Sequence, residues 1–240
     1  MKSVYKRRLA NWACLLSLAL FVFLFLHECG HGIGARLDGE RVSTGFNRVG
    51  DLGKHPGDPD FRAGHVITGR LGWGGLLGPL TNWFFALVFT GWIMSFKQSS
   101  RASLLLGAVA VVNGFMRFVP MAMFFINAGL GHLSLEDEVA WGLGSVDGLG
   151  LPMSFDAFQA VARSEPELIL QTPGIYAWPI FSIGISLLCL ILSYRKLLAL
   201  YRTDLPTRAS QVAFVFMPMA VWPVVFALAN TLDRVVRINW

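Results

Sequence analysis

The sequence predicts an all-α polytopic membrane protein of about five transmembrane helices, with a small β-hairpin inserted after the first helix. Three observations carry that expectation. Hydrophobic residues make up 54% of the 240-residue chain and charged residues only 15%, a balance foreign to soluble domains. Apolar runs long enough to cross about 30 Å of hydrocarbon begin near Leu9, Leu76, Ala102, Gln171 and Gln211. Between the first two runs lies a polar, glycine-rich stretch with a two-residue alternation of side-chain character.

The first span, near residues 9–35, follows Lys2, Lys6, Arg7 and Arg8. It reads as a retained signal-anchor helix rather than a cleaved signal peptide. Its apolar stretch exceeds the usual length of about 7 to 15 residues, and no small-x-small cleavage site follows it. In residues 41–70, Val42, Thr44 and Phe46 alternate with Ser43, Gly45 and Asn47, which predicts a short strand. His65 to Thr68 is the expected partner, with Gly53, Pro56, Gly57 and Pro59 forming the turn. Gly72, Gly74, Gly75, Gly78 and Pro79 lead into the second span, near 76–96. The third, near 102–126, contains Asn113 and Arg117, four residues apart and hence on one helix face. Polar groups at that depth need partners, and for Arg117 the acidic residues Glu136 to Glu138 are the expected ones. Residues 127–171 form an acidic connecting segment in which seven carboxylates oppose Arg163 alone. Two further spans, near 172–200 and 211–232, carry Pro179, Pro218 and Pro223 as expected kinks. With no internal repeat, the whole of 1–240 reads as one membrane-embedded domain.

The net charge of +5 does not indicate nucleic acid, because the basic residues are spread over termini and loops rather than gathered in a stripe. Membrane topology accounts for them: Lys2, Lys6, Arg7, Arg8, Lys97, Arg101, Arg195, Lys196, Arg202 and Arg208 would share the side that holds the N-terminus, predicting a cytoplasmic N-terminus. Cys14, Cys29 and Cys189 all fall in predicted helices and suggest buried thiols rather than a disulfide framework.

The residues with the clearest chemistry are His27-Glu28-Cys29-Gly30-His31 at the end of the first span, an HExxH element. On a helix, histidines at i and i+4 present their nitrogens on one face and chelate one Zn2+. Glu28, beside both, can take a proton from a zinc-bound water and return it to a departing amine. Leu37 stands where the metzincin pattern needs a third histidine, which excludes that group. Ionisable groups inside a membrane are costly and usually functional, so interfacial accident is the weaker explanation.

Together these motifs resemble the site-2 protease family of intramembrane zinc metalloproteases. The resemblance rests on HECGHGIGARLDGERV at His27 to Val42, on GLLGPLTNWFFAL with Gly78, Pro79 and Asn82, and on Asn113 with Pro120 in the third span. It implies hydrolysis of membrane-associated protein substrates within the bilayer, with Asn82 and Asn113 either binding substrate backbone or tying helices together. It also implies a third metal ligand from a Leu-Asp-Gly triplet after the Asn and Pro, and no such triplet stands there. Asp137 in LEDEVAWGLG is the first choice for that ligand and Asp147 in SVDGLG the second; Asp38 follows His31 too closely to return to the same metal. Gly30 and Gly34 would admit a close helix, and the strand from Val42 could pair with an unwound substrate at its edge. The alternative function is a non-proteolytic membrane protein that keeps a structural or sensing metal site.

Overall fold

The computed structural model describes residues 2–55, 72–134, 136–144, 164 and 166–240. Helix α1 covers Lys2–Leu37, strand β1 Val42–Thr44 and β2 Val49–Asp51. Then come α2 Trp73–Met94, α3 Arg101–Gly129, α4 Asp137–Gly144, α5 Pro166–Leu170, α6 Gly174–Leu200, α7 Arg208–Leu232 and strand β3 Ile238–Asn239. Five of these helices, α1, α2, α3, α6 and α7, are long and apolar enough to cross a membrane, as the sequence predicts. Their surfaces agree with that reading. Phe84, Leu87 and Trp92 on α2, Phe181 and Leu188 on α6, and Phe216, Val224 and Leu228 on α7 all point outward. So large an apolar exterior suits lipid rather than water.

Local rules place the helix ends. Ser100 and Thr207 each cap the following helix in a reciprocal capping box with the serine three residues on, Ser103 and Ser210. Each helix runs on through its prolines, Pro79, Pro120, Pro179, Pro218 and Pro223. α3 lies at the centre, with Ala108, Ala110, Val111 and Asn113 fully buried among α1, α2 and α6. Lipid tails are as apolar as leucine, so helices in a bilayer associate through close packing and hydrogen bonds rather than through the hydrophobic effect. Both devices are present. Trp83 donates to Ser182 at 3.1 Å, Thr90 meets Ser193 at 3.0 Å, and Ser103 meets Tyr201 at 2.8 Å.

The closest approach is between α1 and α2. A Cβ on Gly30 would lie 2.6 Å from the Leu77 carbonyl oxygen, and one on Gly34 would overlap the Trp73 carbonyl. The small residues at 30 and 34 therefore receive α2. Asp38, just past the end of α1, accepts from the backbone N–H groups of Trp73 at 3.1 Å and Gly74 at 2.8 Å. These N–H groups have no partner within their own helix, so a remote carboxylate caps α2 and pins its start to the end of α1.

The β excursion differs from the expectation. β1 pairs antiparallel with β2, from Val42↔Asp51 to Thr44↔Val49, and the turn lies between Gly45 and Arg48 rather than at Gly53. Its other edge is taken by β3, with Ser43↔Asn239 and Thr44↔Ile238, so that β1 is the central strand of the order β2-β1-β3. The edge expected to receive substrate is thus occupied by the chain's own residues 238 and 239. The proposed partner His65 to Thr68 lies outside the described residues. A three-residue strand is too short for alternation to reveal its partner, and β3 is remote in sequence. Asp233, buried just beyond α7, accepts from the N–H groups of Phe46 at 2.5 Å and Asn47 at 3.1 Å and so anchors the hairpin turn. Burial pushes its carboxyl up, against the pull of those two hydrogen bonds.

Gly34→Ala should destabilise the protein by about 1–3 kcal/mol through overpacking, whereas Gly91→Ala, where a Cβ meets open space, should shift stability by less than about 1 kcal/mol. Thermal unfolding in detergent distinguishes them; equal stability of the two variants would contradict the close α1–α2 contact.

Candidate metal centre

Because α1 is unbroken through the HExxH element, His27 and His31 stand one turn apart on the same face. Both are buried, with 7% and 3% exposure. Nδ1 of His31 lies 2.6 Å from the Gly74 carbonyl oxygen. A carbonyl can only accept, so Nδ1 carries a proton whether the ring is charged or neutral, and the neutral ring that a metal binds presents its lone pair at Nε2. That bond depends on the start of α2, which Asp38 holds in place. Gly78, one turn further along α2, faces the imidazole itself, and a Cβ there would overlap His31 Nε2.

The third corner comes from α4. Asp137 Oδ2 lies 3.5 Å from His27 Nε2 and 3.4 Å from His31 Nε2, and the two nitrogens are 3.2 Å apart. The three atoms form a nearly equilateral triangle. Three ligands at tetrahedral corners, each about 2.0–2.1 Å from a zinc ion, would be separated by about 3.3 Å. The donor set of two imidazoles and one carboxylate is also the kind that catalytic zinc uses. These residues therefore fit the group, and among the described residues they are the cluster of potential ligands that could hold a metal ion. Burial alone would raise the Asp137 carboxyl, but the His31 charge, hydrogen bonds from both histidines and the Arg117 guanidinium together hold it well below the usual carboxylate range. It is an anion at neutral pH. The neighbouring Glu136, pushed up to about 7 mainly by burial, is a poorer anion.

Arg117 joins this group from α3. Its Nη1 donates to Asp137 Oδ2 at 3.1 Å, and its Nε lies 3.4 Å from Glu138 Oε1. The same Nη1 is 3.5 Å from His27 Nε2. The expected pairing of Arg117 with the acidic segment is what the structure contains. Glu138 Oε1 accepts from Ser182 at 2.7 Å, and Ser182 accepts in turn from Trp83. One buried polar chain thus links α2, α6, α4, α3 and α1. Among the described residues, Nδ1 of His27 and Oε2 of Glu138 have no hydrogen-bond partner.

Glu28 is buried beside both histidines on α1, with 8% exposure, as its place in the motif requires. Asn82 and Asn113, expected either to bind substrate or to tie helices together, are fully buried and bonded to each other, Asn82 Nδ2 to Asn113 Oδ1 at 2.9 Å. Asn113 also donates to the Val109 carbonyl, and Oδ1 of Asn82 has no partner among the described residues. The second-choice ligand, Asp147, lies outside the described residues. Sequence reasoning placed Glu138 in the acidic cluster expected to meet Arg117 but missed Ser182, Trp83 and the capping role of Asp38. A serine or a tryptophan on an apolar helix, and an aspartate just past a helix end, announce no partner.

No protein-family model, curated protein or solved structure matches this chain.

Gly78→Ala should weaken metal binding at least about tenfold by pushing the His31 imidazole from its corner, with the helical content unchanged. Titration with Co2+, followed by its visible absorption, measures this; wild-type affinity in Gly78→Ala would remove Gly78 from the site.

Proposed function

We propose that this protein is an intramembrane zinc metallopeptidase, a divergent relative of the site-2 proteases, hydrolysing peptide bonds of membrane-associated proteins. The observation that carries this reading is the triangle of His27 Nε2, His31 Nε2 and Asp137 Oδ2, with sides of 3.2 to 3.5 Å, beside the Glu28 carboxylate. His27, His31 and Asp137 would hold a zinc ion, which would supply Lewis acidity and lower the pKa of water to about 7. His31 is fixed as a ligand by its bond to Gly74. His27 and Asp137 complete the set, and Arg117 keeps Asp137 ionised and oriented. Glu28 takes the proton of the attacking water as general base and returns it to the leaving amine as general acid. Helices α2 and α3 enclose the site, which limits bulk water around the reacting bond.

A second reading, a structural or sensing metal site without proteolysis, draws on one observation. The oxygen of Asp137 that faces the histidines is the same one Arg117 holds at 3.1 Å, a cation beside the metal position that a purely structural site tolerates as readily as a catalytic one. The two readings part on Glu28.

The N-terminal side is proposed to be cytoplasmic. Arg8 pairs with Asp204 at 2.6 Å and Tyr201 donates to the Ser100 carbonyl, so the ends of α1, α3 and α6 that carry Arg7, Arg101, Arg195 and Lys196 gather at one end of the bundle. Positive charge gathers on the cytoplasmic side.

Glu28→Gln should keep one zinc per chain and lose at least about 10³-fold in cleavage rate, since general base catalysis and water activation go together. The check compares membranes from cells expressing wild type and Glu28→Gln by mass spectrometry of newly formed N-termini. Cleavage products that need Glu28 and vanish with a zinc chelator support the peptidase. Metal content without any Glu28-dependent product favours the second reading.

A further inference from the structure

At the end of the bundle opposite the metal ligands, α1 and α3 enclose two adjoining cavities. One, of about 300 Å³, is polar and has Arg7, Ser99 and Ser100 in its walls. The other, of about 470 Å³, is apolar and is walled by Cys14, Leu15, Leu104 and Leu105. Arg8, Asn11 and Arg101 stand in both. The change of polarity follows the helices. On α1, Asn11 is followed one turn later by Cys14 and Leu15; on α3, Arg101 is followed one turn later by Leu104 and Leu105. The groove is cationic where the helices begin and apolar one turn deeper, which matches the two ends of a phospholipid.

The charge is available. Arg8 is committed, since it pairs with Asp204 at 2.6 Å and lies over the Tyr201 ring at 4.6 Å. Arg7 and Arg101 are exposed and, among the described residues, have no acidic partner. A guanidinium fork matches the oxygens of a phosphate, and two uncompensated ones flanking a cavity complement an anion. A free anion would need only the polar cavity; the adjoining apolar one favours a lipid. We infer that this groove binds one anionic phospholipid, its phosphate between Arg7 and Arg101 and an acyl chain along Leu15, Leu104 and Leu105. The site is separate from the metal centre, because Asn11 precedes His27 by sixteen residues, about 24 Å of helix.

Native mass spectrometry of the protein in detergent, titrated with phosphatidylglycerol and with phosphatidylcholine, tests this. Wild type should bind one phosphatidylglycerol about thirtyfold more tightly than phosphatidylcholine, the scale expected of two basic residues at an anionic headgroup. R7Q/R101Q should lose that preference with phosphatidylcholine binding and helical content unchanged. R7Q and R101Q alone should each lose about a third to a half of it on a logarithmic scale, so the answer does not depend on the double variant folding. Cys14, which is exposed in the apolar cavity, should react more slowly with a maleimide when phosphatidylglycerol is bound and at an unchanged rate in millimolar inorganic phosphate. Equal affinity for the two lipids, a preference that survives R7Q/R101Q, or displacement of the lipid by inorganic phosphate would each overturn the assignment.

Discussion

The fold around the candidate metal centre depends on the pairing of Arg117 with Asp137 and Glu138. An arginine within an apolar span is costly unless its charge is met, and leaving one partner of such a pair unmatched is costlier still. Arg117 comes from α3 and both carboxylates from α4, so the short helix cannot dock elsewhere without stranding three ionic groups. The same docking carries Asp137 Oδ2 to within 3.5 Å of two imidazoles on α1. The constraint that tolerates a charge at this depth also closes the ligand set.

Glycine does the corresponding work between α1 and α2. Gly30, Gly34 and Gly78 remove the side chains that would hold the helices apart, and that proximity lets a main-chain carbonyl of α2 reach His31 Nδ1 at 2.6 Å. Asp38 then fixes the register of the contact by capping α2. The tautomer of His31 is therefore set by backbone geometry that begins seven residues beyond it in the chain. The imidazole is held by a neighbour that cannot rotate away, which is the kind of outer support metal ligands ordinarily need.

The five spans were legible because bilayer thickness imposes a length and a composition that survive without knowledge of neighbours. The HExxH element was legible for the same reason: its two histidines and its glutamate lie within one helical turn, so local geometry decides everything. Asp137 was reachable as part of the first acidic region after Pro120, though only the fold could bring it back to α1. The β pairing was not legible. Residues 238 and 239 reach β1 from almost two hundred positions away, and two-residue strands leave no pattern to detect. The polar chain through Glu138, Ser182 and Trp83 escaped notice because a serine on an apolar helix looks the same whether or not it faces a partner.

The central claim, that His27, His31 and Asp137 hold one metal ion, is tested most directly by zinc X-ray absorption on the purified protein alongside His31→Ala and Asp137→Asn. The account predicts one zinc per chain, with two imidazole nitrogens and further oxygen ligands at about 2.0–2.2 Å, and loss of that shell in both variants. Zinc bound with an unaltered shell in either variant, or no zinc bound by the wild type, would contradict it.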